Sequence, residues 1–252
     1  MNKWTREETI IAFNVYCKIP FKNSNKTHPM IVKYAKIIGR TPSALNMKIG
    51  NLGRLDPKLH KMGIVGLAHG AKMEKEIWDE FYKDPDKLAY ESECLIAKLE
   101  NRDLEGKLGI DIDHLPEGKE RLSLIKQRVN QSFFRSAVMS SYNFRCCISG
   151  VRNPELLDAC HIVDWSEDRN NRSNPENGLC LNSLFHKAYD KYLMAITPDY
   201  TVIISDEMIE KTEDENFKEY LVGLHNKKLI LPCRFYPKPE FLDFHYQKYL
   251  AK

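Results

Sequence analysis

No apolar run in the 252 residues approaches the roughly 20 needed to cross a bilayer, so a helical membrane protein is not expected. The opening stretch, Met1-Asn2-Lys3-Trp4-Thr5-Arg6-Glu7-Glu8, lacks the apolar core of a secretory signal, which makes a cytoplasmic location the expectation. There is no Cys-x-x-Cys pair, and the cysteines are odd in number: Cys17, Cys94, Cys146, Cys147, Cys160, Cys180 and Cys233. Neither a disulfide framework nor a four-cysteine zinc knuckle is supported, and buried free thiols are expected. Internal repeats and low-complexity tracts are also missing.

What is present is an uneven charge distribution. Met1 to Met62 holds twelve lysines and arginines against three carboxylates, a net +9, so the remainder carries −6 of the overall +3. A basic quarter on a mildly acidic body fits a polyanion contact at one end, and fits a solvated basic face equally well.

Helix signals crowd the same quarter. Trp4 to Tyr16 reads as a helix, with Thr5 and Glu8 spaced as a capping box. Pro20 closes this segment, and a loop is expected at Lys22 to Thr27. Pro29 to Ile38 is apolar at helical spacing and ends at Gly39. Thr41 can cap a second helix that starts with Pro42 and runs to Leu52. This is the pattern of a helix-turn-helix around residues 29–52 and also of a plain helical hairpin. On the first reading Arg40, Ser43, Asn46 and Lys48 would face DNA. Leu55 to Gly70 reads as irregular, Lys72 to Lys83 and Pro85 to Arg102 as helices, and Gly106 to Gly118 as a linker. Lys119 to Ser141 is helical again.

The second half carries the chemistry. Leu156 to Val163 is a short apolar strand with His161 set in it, where a lone histidine is usually structural. Asn177-Gly178 signals a turn before the strand Leu179-Cys180-Leu181. Ser183 to Asp190 then reads as a helix, with His186 and Asp190 four apart on one face. That pair can hold a divalent cation together or simply bond to each other.

Strand, turn, strand and helix, with His161, Asn177 and His186 in that order, resemble the HNH endonuclease motif and its ββα-metal fold. The flanking Cys146-Cys147-Ile148-Ser149-Gly150, His161-Ile162-Val163-Asp164-Trp165 and Phe185-His186-Lys187-Ala188-Tyr189-Asp190 are similar to the subgroup common in restriction endonucleases. The resemblance covers about Ser136 to Ser205. More weakly, Leu229-Ile230-Leu231-Pro232 and a closing helix Pro239 to Leu250 look like that subgroup's C-terminal extension.

The helix patterns and the basic first quarter point to a mostly helical DNA-recognition domain at 1–110, and the resemblance implies an HNH nuclease domain at 119–252, an α+β chain in all. It implies phosphodiester hydrolysis in double-stranded DNA, of restriction or host-defence type with site or base-modification specificity, by a homodimer. His161 would be the general base, Asn177 would fix the loop that orients it, and His186 with Asp190 would bind one divalent metal ion. Mg²⁺ or Mn²⁺ is expected, with Ni²⁺ a further candidate and no structural zinc. Lys187 and Lys191 would contact phosphates. Two residues depart from the family pattern. Cys160 stands where many HNH nucleases have an aspartate ligand, and Asp164 stands where the subgroup often has proline. The first departure keeps a non-catalytic DNA-binding regulator with a degenerate HNH fold in view. An RNA-directed nuclease is the other alternative.

Overall fold

The computed structural model describes residues 3–21, 24–61, 63, 72–108 and 118–252. The chain is mainly helical, with two small antiparallel strand pairs in its second half.

The first helix, α1 (Arg6–Lys18), is built around the expected capping box: Thr5 Oγ1 accepts from Glu8 N at 3.2 Å, and Glu8 Oε2 accepts from Thr5 N at 2.9 Å. Every residue from Thr9 to Lys18 is buried, so α1 is an axle rather than an amphipathic surface helix. Around it pack α2 (Pro29–Ile37), α3 (Pro42–Gly53), α5 (Lys72–Phe81) and α6 (Pro85–Leu99). The buried Asn14 donates through Nδ2 to Ser92 Oγ, and Lys18 pairs with Glu93 at 2.8 Å. A short α4 (Pro57–Lys61) and α7 (Leu104–Leu108) lie in stretches expected to be irregular or linking. Within those stretches residues 62, 64–70 and 109–117 fall outside the described residues, as do 22–23 of the expected loop.

Helices α2 and α3 fall where expected, and Gly39 makes the turn between them with φ +67°, the left-handed region where glycine is unstrained. Two of the residues expected to face DNA there are engaged inside the protein instead. Lys48 points inward: it is buried, and its Nζ lies 2.7 Å from Glu74 Oε1 on α5. It shares the buried stripe Leu45, Lys48, Ile49, Leu52, the i, i+3, i+4, i+7 positions of a core-facing helix. Arg40 spends its guanidinium on Glu8 (2.8 and 2.9 Å) and on the Lys3 carbonyl, and it lies over the Trp4 ring. Ser43 is exposed as expected, while Asn46 is half-buried and accepts from Ser24 Oγ at 2.7 Å.

A long helix, α8 (Lys119–Ser141), joins the two halves. Its Ile125, Val129, Phe133 and Ala137 belong to the core around α1, whereas Phe134, Val138 and Met139 belong to a second core. That second core is roofed by a hairpin of β1 (Leu157–His161) and β2 (Gly178–Asn182), followed by α9 (Ser183–Asp190). A second hairpin of β3 (Met194–Ile196) and β4 (Val202–Ile204), with α10 (Asp206–Glu210) and α11 (Glu215–Leu224), was not foreseen from sequence. The closing helix α12 (Pro239–Leu250) packs on β3. The cysteines are free thiols, five of them buried.

The C-terminal segment also reaches back to the first core. Arg234 is fully buried and donates to the carbonyls of Cys17 and Ile19 at the end of α1 and to Ser140 Oγ on α8. A cation at a helix C-terminus is well placed against the helix dipole and its unpaired carbonyls.

Lys48→Met should cost up to about 3 kcal/mol, because it removes the nearest cation from the buried Glu74 carboxylate and leaves it Asn51 Nδ2 at 3.2 Å and Arg54 Nη2 at 3.8 Å. The Lys48→Met/Glu74→Leu double variant should recover most of that loss in urea unfolding. A single variant within 1 kcal/mol of wild type would mean that Lys48 is not committed to this pair.

Candidate active site

The site grows from the β1–β2 hairpin. In its register His161 faces Gly178 and Cys160 faces Leu179. Gly178 is required by close approach: a Cβ there would meet Val138 Cγ2 at 2.3 Å and the Phe134 ring at 3.0 Å. This lets α8 lie directly on the hairpin, with Phe134 stacked on the His161 imidazole, centroids 3.7 Å apart and planes 7° from parallel. Trp165 meets the same imidazole edge-on at 5.6 Å.

His161 Nε2 lies 2.9 Å from the Arg172 carbonyl oxygen. A carbonyl only accepts, so Nε2 carries the proton and the neutral ring keeps its lone pair on Nδ1. Burial pushes the His161 pKa below the ordinary histidine value, against the opposing pull of the carbonyl and of Asp164. The imidazole is therefore held in its basic, uncharged form near neutrality.

Asn177 holds the backbone beside it. Its side chain is buried; Oδ1 accepts from Val163 N at 2.8 Å, and Nδ2 donates to Val163 O at 3.1 Å and to Asn171 O at 3.4 Å. Its own carbonyl accepts from Ile162 N at 2.9 Å. The loop leaving β1 is thus pinned immediately after His161.

On α9, whose first turn is capped by Asn182 Oδ1 accepting from Phe185 N, His186 lies between two carboxylates. Its Nδ1 is 3.5 Å from Asp158 Oδ2, and its Nε2 is 3.5 Å from Asp190 Oδ2. Cys160 Sγ lies 3.9 Å from Asp190 Oδ1. One donor atom each from Cys160, His186 and Asp190 falls within 4.8 Å of the others, the grouping a single cation needs. The expected pair His186 and Asp190 is together, and Cys160 joins it. Asp158 is held by Ser183 Oγ at 3.1 Å and by Arg135 Nη1 at 3.4 Å.

Lys187 and Lys191 are exposed beside this cluster. Sequence reasoning missed Arg135 as a neighbour of the cluster. Its Nη2 donates to the Leu157 carbonyl at 2.8 Å, and half of its side chain remains exposed. It also missed α12. A cavity of about 180 Å³ is lined by His161, Asp164 and Asp190 together with His245 and Lys248 of α12. Lys248 pairs with Glu167 across it. No local pattern marks these α12 residues, because the contact spans more than eighty positions of chain.

Residues 146–197 match the family model described as HNH endonuclease. The match begins at the Cys146-Cys147 turn, takes in the hairpin and α9, and ends just past β3. A search of curated proteins finds no match to the chain.

His245 stacks on Tyr189 at 3.6 Å and bonds to its carbonyl, and burial lowers its pKa from 6.5 to about 4. Above pH 6.5 His245 is neutral whether the chain is folded or not, so the fold bears no cost. As pH falls from about 6.5 towards 4, the unfolded chain takes up a proton that the folded chain refuses, and stability is lost, on the order of 3 kcal/mol. His245→Phe, which keeps a ring on Tyr189, should flatten this part of the acid-unfolding curve measured by urea titration. An unchanged pH slope would show that His245 does not carry it.

Proposed function

We propose that this protein is a metal-dependent endonuclease that hydrolyses phosphodiester bonds in double-stranded DNA. The observation that carries the reading is His161: a neutral imidazole with its Nε2–H tied to a carbonyl, lining the same cavity as Asp190 of a cation-sized cluster.

In this reading His161 Nδ1 accepts the proton of the attacking water, a step that positioned general bases accelerate by about 10²–10⁴. The stack on Phe134 and the Asn177–Val163 bonds keep the ring from turning away. His186 and Asp190, with Cys160 beside them, would hold a divalent cation; the nitrogen, carboxylate and sulfur donors suit such an ion. When bound, the cation supplies charge neutralisation at the scissile phosphate and at the departing 3′ oxygen. Lys187, Lys191 and the exposed part of Arg135 would meet the flanking backbone.

The recognition role is assigned to the helical first half at 1–110, where Ser43 stands exposed on α3. Site or base-modification specificity of restriction or host-defence type, and a homodimer that cuts both strands, complete the proposal. The dimer follows from the need for two centres on antiparallel strands.

Supercoiled plasmid incubated with protein and Mg²⁺, Mn²⁺, Co²⁺ or Ni²⁺ should be nicked or linearised, and EDTA should abolish the cutting. His161→Asn should lower the rate at least a hundredfold while circular dichroism stays that of wild type. No cutting of modified or unmodified DNA in any metal would sink the nuclease and leave a DNA-binding regulator. Cutting of structured RNA alone would redirect the substrate.

A further inference from the structure

We infer that Cys160 is a ligand of the cation and that the centre is therefore built for a borderline ion of the Zn²⁺ or Co²⁺ kind rather than for Mg²⁺. This rests on the reading of the His186–Asp190 cluster as a metal seat, and it goes further by naming the third donor and the ion class.

Three observations converge. The first is spacing. A tetrahedral cation with bonds of about 2.0–2.3 Å places neighbouring donors roughly 3.3–3.8 Å apart. His186 Nε2 lies 3.5 Å from Asp190 Oδ2 and Cys160 Sγ lies 3.9 Å from Asp190 Oδ1, and one donor atom from each of the three falls within 4.8 Å of the others, so a small closing of these side chains around an ion reaches that spacing. The second is the partner behind His186. A histidine that binds metal through one nitrogen commonly gives the other to a carboxylate, which fixes the ring. Asp158 occupies that place at Nδ1, and it is itself steadied by Ser183 and Arg135. Asp158 is thus the outer support of the centre and not a replacement ligand. The third is access. Cys160 is buried, His186 is half-buried and Asp190 is exposed, so the donors run from the core to the surface and solvent reaches the group at Asp190. Three protein donors with one open position is the arrangement of a catalytic centre and not of a closed structural one.

The donor set decides the ion. Mg²⁺ takes oxygen ligands in near-octahedral geometry and keeps several waters. Two of the three donors here are sulfur and nitrogen, which favour Zn²⁺, Co²⁺ or Ni²⁺. Binding breaks the Cys160 S–H bond, releases its proton to solvent and forms a sulfur–metal bond; no electron changes hands.

The test is a Co²⁺ titration of the full chain, followed by absorption. A sulfur-to-cobalt charge-transfer band in the near ultraviolet should saturate at one ion per chain. Zn²⁺ should displace it, and a large excess of Mg²⁺ should not. Cys160→Ser should abolish the band and weaken Co²⁺ binding by about tenfold or more in calorimetry. Cys160→Asp should bind Mg²⁺ more tightly than wild type does. No band in the wild type, or an equal band in Cys160→Ser, would overturn the assignment without any reliance on the variants' activity. The two readings separate cleanly in the plasmid assay. A cobalt–sulfur band with no DNA cut keeps the metal assignment and removes the nuclease. EDTA-sensitive cutting with no band keeps the nuclease and removes Cys160 from the centre.

Discussion

The buried amide of Asn177 is the hinge-pin of the second half. It bonds Val163 through both its oxygen and its nitrogen, and its backbone carbonyl takes Ile162 N. A buried side chain that is satisfied on both sides fixes a loop more firmly than apolar packing, because any slip leaves a donor and an acceptor unpaired. Besides Phe134 of α8, the groups that give His161 its character come from that loop. The Arg172 carbonyl that sets its tautomer lies eleven residues on, and Trp165, whose edge meets the ring, lies four residues on. Arg172 in turn donates through Nε to the Trp165 carbonyl at 2.8 Å, so the loop closes upon itself.

The surroundings of the two histidines differ sharply. His161 is flanked by aromatic rings and one carbonyl, which keeps the imidazole neutral. His186 lies between Asp158 and Asp190, an anionic setting that suits a positive centre. On the proposed reading one is a base and the other a metal ligand, and two such roles can coexist only where the environments differ.

Much of this was legible from the chain alone where the signal is local. The Thr5–Glu8 box, the Pro42 start of α3, the Asn177-Gly178 turn and the His186–Asp190 spacing each need only a few consecutive residues, and each element stands where expected. Contacts across the chain were not legible. Phe134, Arg135, His245 and Lys248 meet the site from helices whose approach no short window encodes. The three-residue strands β3 and β4 are too brief for alternation to show. Lys48 is a different case. Its charge suggested a surface role, but its place on the stripe with Leu45, Ile49 and Leu52 already pointed inward. Periodicity, not residue type, was the better guide there.

Helix α8 has a wider meaning for how this protein can be taken apart. One of its faces completes the bundle around α1, and the adjacent Phe134 forms the platform under the His161 ring. Arg234 ties the far end of the chain into the same bundle. The helical half and the hairpin half therefore share a beam and a rivet. A border drawn through the stretch before α8 divides the sequence, but it does not yield two bodies that can be swapped like cassettes.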